Sequence, residues 1–237
     1  MHKRIISLLL IFCVLFPFLA TAESSDSSAS DVKVGDVIVF GHYEQDNVKS
    51  NGSEPIEWRV LDVNDGVAFL ISVYALDCKQ YNTEYIDITW ANCFLRRWLN
   101  NQFYKAAFSE DERDAVILSH IDNSLAQSRD DWVRCEGKPT EDYVFLLSYA
   151  EGVRYFKDDK DRQCIPTAFA LRAGAQDSSG FLVDGQRPCW YWLRTPGHNA
   201  RNSCVVIDSG ILKNQHVNRK HFSVRPCINL DLSKAGY

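Results

Sequence analysis

The sequence predicts an α+β fold: a mostly antiparallel sheet with flanking helices and a loop-rich face. Three observations carry this. Strand-like runs occupy both ends of the chain, two helix-capping boxes fall in the middle, and Asp-Gly and Pro-Gly pairs punctuate the apolar runs.

At the N-terminal end, Asp36 to Gly41 reads as a short strand, and Ile56 to Leu61 alternates as a second. Asn64-Asp65-Gly66 is a hairpin turn, because Asp-Gly tolerates positive φ. Val67 to Leu76 completes that hairpin. Trp90 to Phe103 is expected to be helical, with Leu95, Trp98, Leu99 and Phe103 at helix spacing and Arg96 and Arg97 facing out. Ser109-Glu110-Asp111-Glu112 is a capping box that opens a helix through about His120. Ser148-Tyr149-Ala150-Glu151 repeats the device for a helix ending near Phe156. Tyr143 to Leu147 reads as a strand, and Thr167 to Arg172 as a short helix after Pro166. Strands return at Trp190 to Arg194, Cys204 to Ile207, Ile211-Leu212 and Phe222 to Leu230, with Asp208-Ser209-Gly210 as a connecting turn.

Residues 1–22 read as a secretory signal peptide: a basic His2-Lys3-Arg4 head, an apolar run from Ile5 to Leu19, and Ala20-Thr21-Ala22 as the cleavage site. The apolar run is short for a bilayer span and contains Pro17, so no membrane span is expected once it is cleaved. Residues 23–34 form a linker opened by a serine- and aspartate-rich tether, and residues 35–237 form one domain. The protein is therefore expected outside the cytoplasm, secreted or in the cell envelope. The net charge of −5 argues against a nucleic-acid or anionic-membrane partner, since both favour basic surfaces. Eight cysteines are present, and Cys13 leaves with the signal peptide. The other seven suggest disulfides with at least one thiol left over, and a fully reduced core is also compatible. No C-x-x-C pair occurs, which removes zinc-ribbon and thioredoxin-like readings.

Trp190-Tyr191-Trp192-Leu193-Arg194-Thr195 is an aromatic strand stopped by Pro196-Gly197. Trp190, Trp192 and Arg194 fall on one face, and Tyr191, Leu193 and Thr195 on the other. Polar loops come next. His198, Asn199, Arg201, Asn202, Lys213, Asn214, Gln215, His216 and Asn218 supply side chains that donate and accept beside an aromatic platform, the composition of a recognition surface. Trp190 and Tyr191 are the candidates for stacking against a sugar. Trp58, Trp90 and Trp98 read as core, and Arg194 and Arg225 as buried, hydrogen-bonded structural groups.

One ordered set of segments carries a family resemblance: Gly35 to Gln45, Ile56 to Leu61, Leu76-Asp77-Cys78, Trp90 with Leu95 to Asn100, Ala107-Phe108-Ser109, Val144 to Ser148, Trp192 to Gly197, and Val224-Arg225-Pro226. With these, the chain resembles a family of exported bacterial domains with a C-type-lectin-like fold. That family is similar to the formylglycine-generating (sulfatase-modifying) enzymes and to the variable proteins of diversity-generating retroelements. The resemblance covers nearly all of residues 35–232 and implies a fold more than a function. In the retroelement relatives, ligand contacts come from loops between the tryptophan-rich strand and the last strand. The matching positions here are the polar ones from His198 to Asn218.

The formylglycine-generating relatives use a copper-holding cysteine pair. Cys204 and Cys227 fall in the corresponding third of the chain, but the accompanying glycine-rich motifs are absent. His198, His216 and His221 lack metal-ligand spacing, and Asp158-Asp159-Lys160-Asp161 lacks the spacing and glycine of an EF-hand, so it reads as a solvated loop. The Glu-Pro-Asn and Gln-Pro-Asp triplets of calcium-dependent lectins are also missing. No cofactor or metal is expected. The reading is a non-catalytic module recognising an extracellular protein or glycan. A metal-dependent oxidase of the sulfatase-modifying type and a structural envelope component are the alternatives.

Overall fold

The computed structural model describes residues 31–128, 136–178 and 180–237. The expected signal peptide and most of the expected linker lie outside the described residues. In chain order the strands are β1 (Val37–Tyr43), β2 (Glu54–Asn64), β3 (Val67–Ser72), β4 (Asp77–Cys78), β5 (Ser119–Ile121), β6 (Thr140–Asp142), β7 (Tyr191–Pro196), β8 (Asn202–Val206), β9 (Leu212–His216), β10 (Ser223–Val224) and β11 (Cys227–Asp231). One sheet has the order β1-β2-β3-β11, a second the order β4-β10-β7-β8-β9, and β5 pairs with β6. Every ladder is antiparallel except the short β10–β7 pairing. The α+β class with a mostly antiparallel sheet is therefore what forms.

The β2–β3 hairpin turns at Asp65 and Gly66, both at positive φ, as the Asp-Gly pair requires. Ile56, Trp58 and Val60 alternate inward from β2 and are fully buried. β7 differs from a half-exposed platform. All six of its residues are buried, so both of its faces are covered. Asp208-Ser209-Gly210 turns β8 into β9, with the Gly210 amide donating to the Ile207 carbonyl at 2.8 Å.

The helices are short: α1 (Phe94–Trp98), α2 (Tyr104–Ala107), α3 (Glu110–Arg113), α4 (Tyr149–Arg154), α5 (Asp159–Arg162), α6 (Ala168–Arg172) and α7 (Leu232–Ala235). None of the described helices is long and apolar enough to cross a membrane. Both capping boxes form, Ser109 with Glu112 and Ser148 with Glu151. The expected helix over 90–103 is segmented. A 3-10 turn at Trp90–Asn92 precedes α1, and a π-helical stretch Leu99–Phe103 succeeds it. Leu95, Trp98, Leu99 and Phe103 still face the core.

Three local expectations are corrected, each by a tertiary hydrogen bond. Arg96 does not face out, because it meets the fully buried carboxylate of Asp142 at 2.6 Å. The helix from Ser109 stops at Arg113, because the edge of β11 captures residues 115–117. Ile117 donates to the Asn229 carbonyl, and Asp231 donates to that of Ala115, both at 2.9 Å. Residues 143–147 are extended but not a full strand. The side-chain oxygen of Asn100 takes the Tyr143 and Val144 amides at 2.8 and 3.2 Å, leaving only the Phe145–Cys227 bridge.

The chain passes between the two large sheets twice, and the two passages run side by side. Residues 73–76 link β3 to β4, and Arg225-Pro226 link β10 to β11. Leu76 donates to the Val224 carbonyl at 2.9 Å, and Ser72 to that of Pro226 at 3.0 Å.

Gly210 tests the packing around the β8–β9 turn. It sits at φ +84°, and a Cβ there would lie 1.5 Å from the Asp159 carbonyl oxygen. Gly185 has a similar φ, +79°, in open space. Gly185→Ala is expected to cost about 1 kcal/mol from backbone strain alone, and Gly210→Ala about 3 kcal/mol or more because α5 must also move. Urea unfolding of the two variants checks this, and equal costs would contradict it.

Candidate functional site

β9 is the outer strand of the five-stranded sheet, and its register against β8 sets Asn202 opposite His216 and Cys204 opposite Asn214. The preceding loop is tightly closed. Gly197 donates to the Asn202 carbonyl at 2.7 Å, and a Cβ on Gly197 would fall 2.7 Å from that of Asn202 and 2.8 Å from that of Asn214. The Asn199 side chain accepts from the Arg201 amide at 2.9 Å. The Asn202 side-chain amide donates to Asn214 Oδ1 at 3.2 Å, while Asn202 Oδ1 is buried with no protein partner.

A second segment joins this edge from far along the chain. Ile88 donates to the Ala200 carbonyl and Asn82 to that of Val217, both at 2.8 Å, and Gln80 Nε2 reaches the Asn218 carbonyl at 2.7 Å. These bonds fix the loop carrying Tyr85, Ile86 and Asp87 beside β9. Tyr85 is 43% exposed. Its ring centroid lies 4.7 Å from that of His216, and the Arg201 guanidinium stands 5.7 Å from the ring. Arg201 also meets Asp87 at 3.1 Å. The result is an exposed aromatic and aliphatic centre, Tyr85 and Ile86, rimmed by cationic, imidazole and amide groups.

The structure brings together Asn199, Arg201, Asn202, Asn214 and His216. Gln215 and Asn218 are half-buried beside them, and His198 is exposed in the adjoining loop. It does not bring Trp190 or Tyr191. Tyr191 is 1% exposed and donates its hydroxyl to the Arg162 carbonyl at 2.8 Å, so it is a core residue and not a stacking surface. Trp190 lies at the opposite end of β7 from residues 198–202, half-buried against Phe222 at 5.2 Å. Tyr85 escapes sequence reasoning because it lies more than a hundred residues before the other side chains. Its only local signal is an aromatic residue within the polar run Asn82 to Asp87.

Charge is uneven in a chain of net −5. Residues 197–222 contain Arg201, Lys213, Arg219 and Lys220 against the single carboxylate of Asp208. His216, Asn218, Arg219, Lys220 and His221 bound an open concavity of about 320 Å³ at this edge.

The oxidase alternative finds no assembled pair in Cys204 and Cys227. Cys204 lies in β8 of one sheet and Cys227 in β11 of the other, paired with β3. Cys204 Sγ is directed at the Pro196 carbonyl at 3.3 Å. All six described cysteines are buried and no disulfide joins them, and Cys135 lies outside the described residues. Burial pushes the Cys93 thiol up to about 12. The acidic run at 158–161 is used internally: Asp158 caps α5 and Asp161 pairs with Arg59 at 2.7 Å. Carboxylate oxygens of Glu44, Asp46 and Glu54 lie within 4.8 Å of one another, but Glu54 and Asp46 already accept backbone amides of their own turn.

A larger cavity of about 550 Å³ lies elsewhere, lined by Asp62, Phe69, Asp122, Glu151, Tyr155 and Arg194 among others. Arg194 is 2% exposed and pairs with Glu151. Its remaining donors meet Asn123 Oδ1 and the Leu146 and Asp122 carbonyls. With its donors met by the protein, it acts as a strut for the wall. The Ser124 backbone amide, then Gln127, hold the Asp122 carboxyl below its ordinary range against the opposing pull of burial. The Arg59 side chain does the same for Asp161.

Residues 65–232 match a protein family described as a domain of unknown function, DUF6273. No curated protein and no solved structure matches the chain. Residues 37–64, upstream of the match, supply two of the four strands of the first sheet.

The buried Arg194 and the two paired carboxylates make two outcomes testable. Glu151→Ala strands a buried guanidinium and is expected to cost about 3–5 kcal/mol, whereas Glu151→Ala with Arg194→Met should cost clearly less than the two single changes added together. A double-mutant cycle in urea reads this, and strict additivity would refute it. Asp122 and Asp161 have depressed folded pKa values, so their contribution is present above the unfolded carboxylate pKa of about 4 and is lost as pH falls through the folded values. Asp122→Asn with Asp161→Asn should flatten the loss of melting temperature below about pH 4, and an unchanged acid limb would count against the assignment.

Proposed function

The chain belongs to the DUF6273 family, and we propose that it is an exported, non-catalytic binding module with a C-type-lectin-like fold. It recognises an extracellular protein or glycan through the Tyr85–Arg201–His216 face. The observation that carries this reading is Tyr85 itself. An aromatic ring left 43% exposed, flanked by an imidazole and a guanidinium, offers a stacking plane with directional polar groups at its rim. Its neighbours suit the role. His216 sits at the end of β9, and Tyr85 and Arg201 sit on loops tied down by backbone hydrogen bonds, so little ordering entropy is lost on binding. The surplus of cationic groups over residues 197–222 favours a partner carrying carboxylate, sulfate or phosphate groups.

Export is supported by the basic head, short apolar run and Ala-Thr-Ala site of residues 1–22. The lectin-like fold is supported by the ordered set of resembling segments and by antiparallel sheets carrying only short helices.

The experiment presents the mature chain, Glu23 to Tyr237, to a glycan array and a panel of cell-surface proteins, with calcium and with chelator. Tyr85→Ala, Arg201→Ala and His216→Ala should each weaken the best hit by about tenfold or more. Because all three side chains are exposed, the melting temperature should move by no more than about 2 °C. A hit that survives all three substitutions together would place the binding surface elsewhere.

A further inference from the structure

A pair of cysteines that no spacing rule connects meets inside the protein. Cys164 lies just after α5, and Cys189 two residues before β7. The Cys189 amide donates to the Cys164 carbonyl at 2.8 Å. A backbone N–H···O=C bond of this length keeps the two Cα atoms roughly 5–6 Å apart, inside the span of about 4.4–6.8 Å that a disulfide bridges. The Cys164 thiol is directed at the Val73 and Ile165 carbonyls, at 3.6 and 3.7 Å. Both cysteines are buried, at 2% and 0% exposure.

The surroundings distinguish the two sulfurs. Cys164 lines a cavity of about 280 Å³ together with Arg225, Arg59, Asp161 and Tyr74, whereas Cys189 does not. Arg225 is a fully enclosed cation beside Cys164. Burial opposes the Cys164 thiolate, but hydrogen bonding from Cys189 and the charge of Arg225 prevail and hold its thiol below the ordinary value. Burial pushes the Cys189 thiol up. Ser223 Oγ, buried without an oxygen or nitrogen partner, lies against Cys189. Cys164 is thus the thiol that lines the cavity and is the more acidic, and Cys189 is placed to resolve it.

We propose that Cys164 and Cys189 form an intrachain disulfide when the protein meets a disulfide donor. The Cys164 thiolate attacks one sulfur of the donor, forming a mixed disulfide and releasing one donor thiolate. The Cys189 sulfur then attacks Cys164 Sγ, the mixed disulfide breaks, and the second donor thiolate leaves. Two protein thiols are oxidised, and the donor is reduced to two thiols that carry away the two protons. The bond closes a loop containing α6 and the exposed Phe181 and Leu182, and ties that loop to the base of the aromatic strand.

The test equilibrates the mature chain with oxidised glutathione, quenches it in acid, denatures and alkylates it, and maps peptides without reduction. The expected result is a Cys164–Cys189 cross-linked peptide and a melting temperature roughly 10 °C above that of the reduced protein. Cys189→Ala should abolish both the cross-link and the redox dependence of melting, whereas Cys204→Ser should leave the cross-link in place. Alkylation of both Cys164 and Cys189 after oxidation, or pairing of either with Cys135, would overturn the proposal. The wild-type map decides it whether or not a variant folds.

Discussion

The two large sheets are joined where the chain passes between them, and the buried guanidinium of Arg225 holds that junction. Its Nε donates to the Ser72 carbonyl at 2.9 Å, at the end of β3. Its other contacts are the Tyr191 hydroxyl at 3.3 Å and the Arg162 carbonyl at 3.4 Å, with the rings of Phe156 and Tyr191 within 6 Å. A guanidinium at 4% exposure is tolerable only if its donors find acceptors and its charge finds polarisable neighbours. Here those partners come from β3, the end of α5 and β7. One side chain on the β10–β11 link therefore fixes the relative placement of segments distant in sequence.

The middle of the chain depends on the same physics with the signs exchanged. No described helix there is long enough to be stable on its own. Asp142, fully buried, accepts from Trp90 Nε1, Arg96 and Thr140, and Arg194 binds the loop around Asp122 and Asn123 to α4 through Glu151. Such networks fix geometry more than they add stability, since desolvation offsets much of the Coulomb attraction. For a binding surface, fixed geometry is what matters. The loops beside β8 and β9 are anchored to a sheet whose central strand is packed on both faces.

The local chemistry of the fold was legible. Asp65-Gly66 turns, Ser109 and Ser148 cap, and Trp58, Trp90 and Trp98 are core, because each of these outcomes depends on a few adjacent residues or on side-chain volume. Features that need a partner from elsewhere in the chain were not legible. Val116 and Ile117 leave the helical pattern for the edge of β11. Arg96 turns inward to Asp142. Tyr191 looked like a stacking ring and is sealed in the core, because alternation says which face a side chain takes and not whether that face is covered. The same limit hid Tyr85 among the site residues and Cys164 beside Cys189. Neither proximity has a sequence period, because each is made by packing between distant segments.

Net charge misleads in a similar way. A formal −5 averages over the whole chain. A ligand arriving at one edge responds mainly to charges within a screening length of about 8–10 Å. Along this edge Arg201 stands beside Tyr85, and Arg219 and Lys220 border the concavity with His216, while Asp87 offsets part of Arg201 and Glu84 lies in the same loop as Tyr85. On the proposed reading, an acidic partner would be drawn to the edge where Arg201 and His216 flank Tyr85.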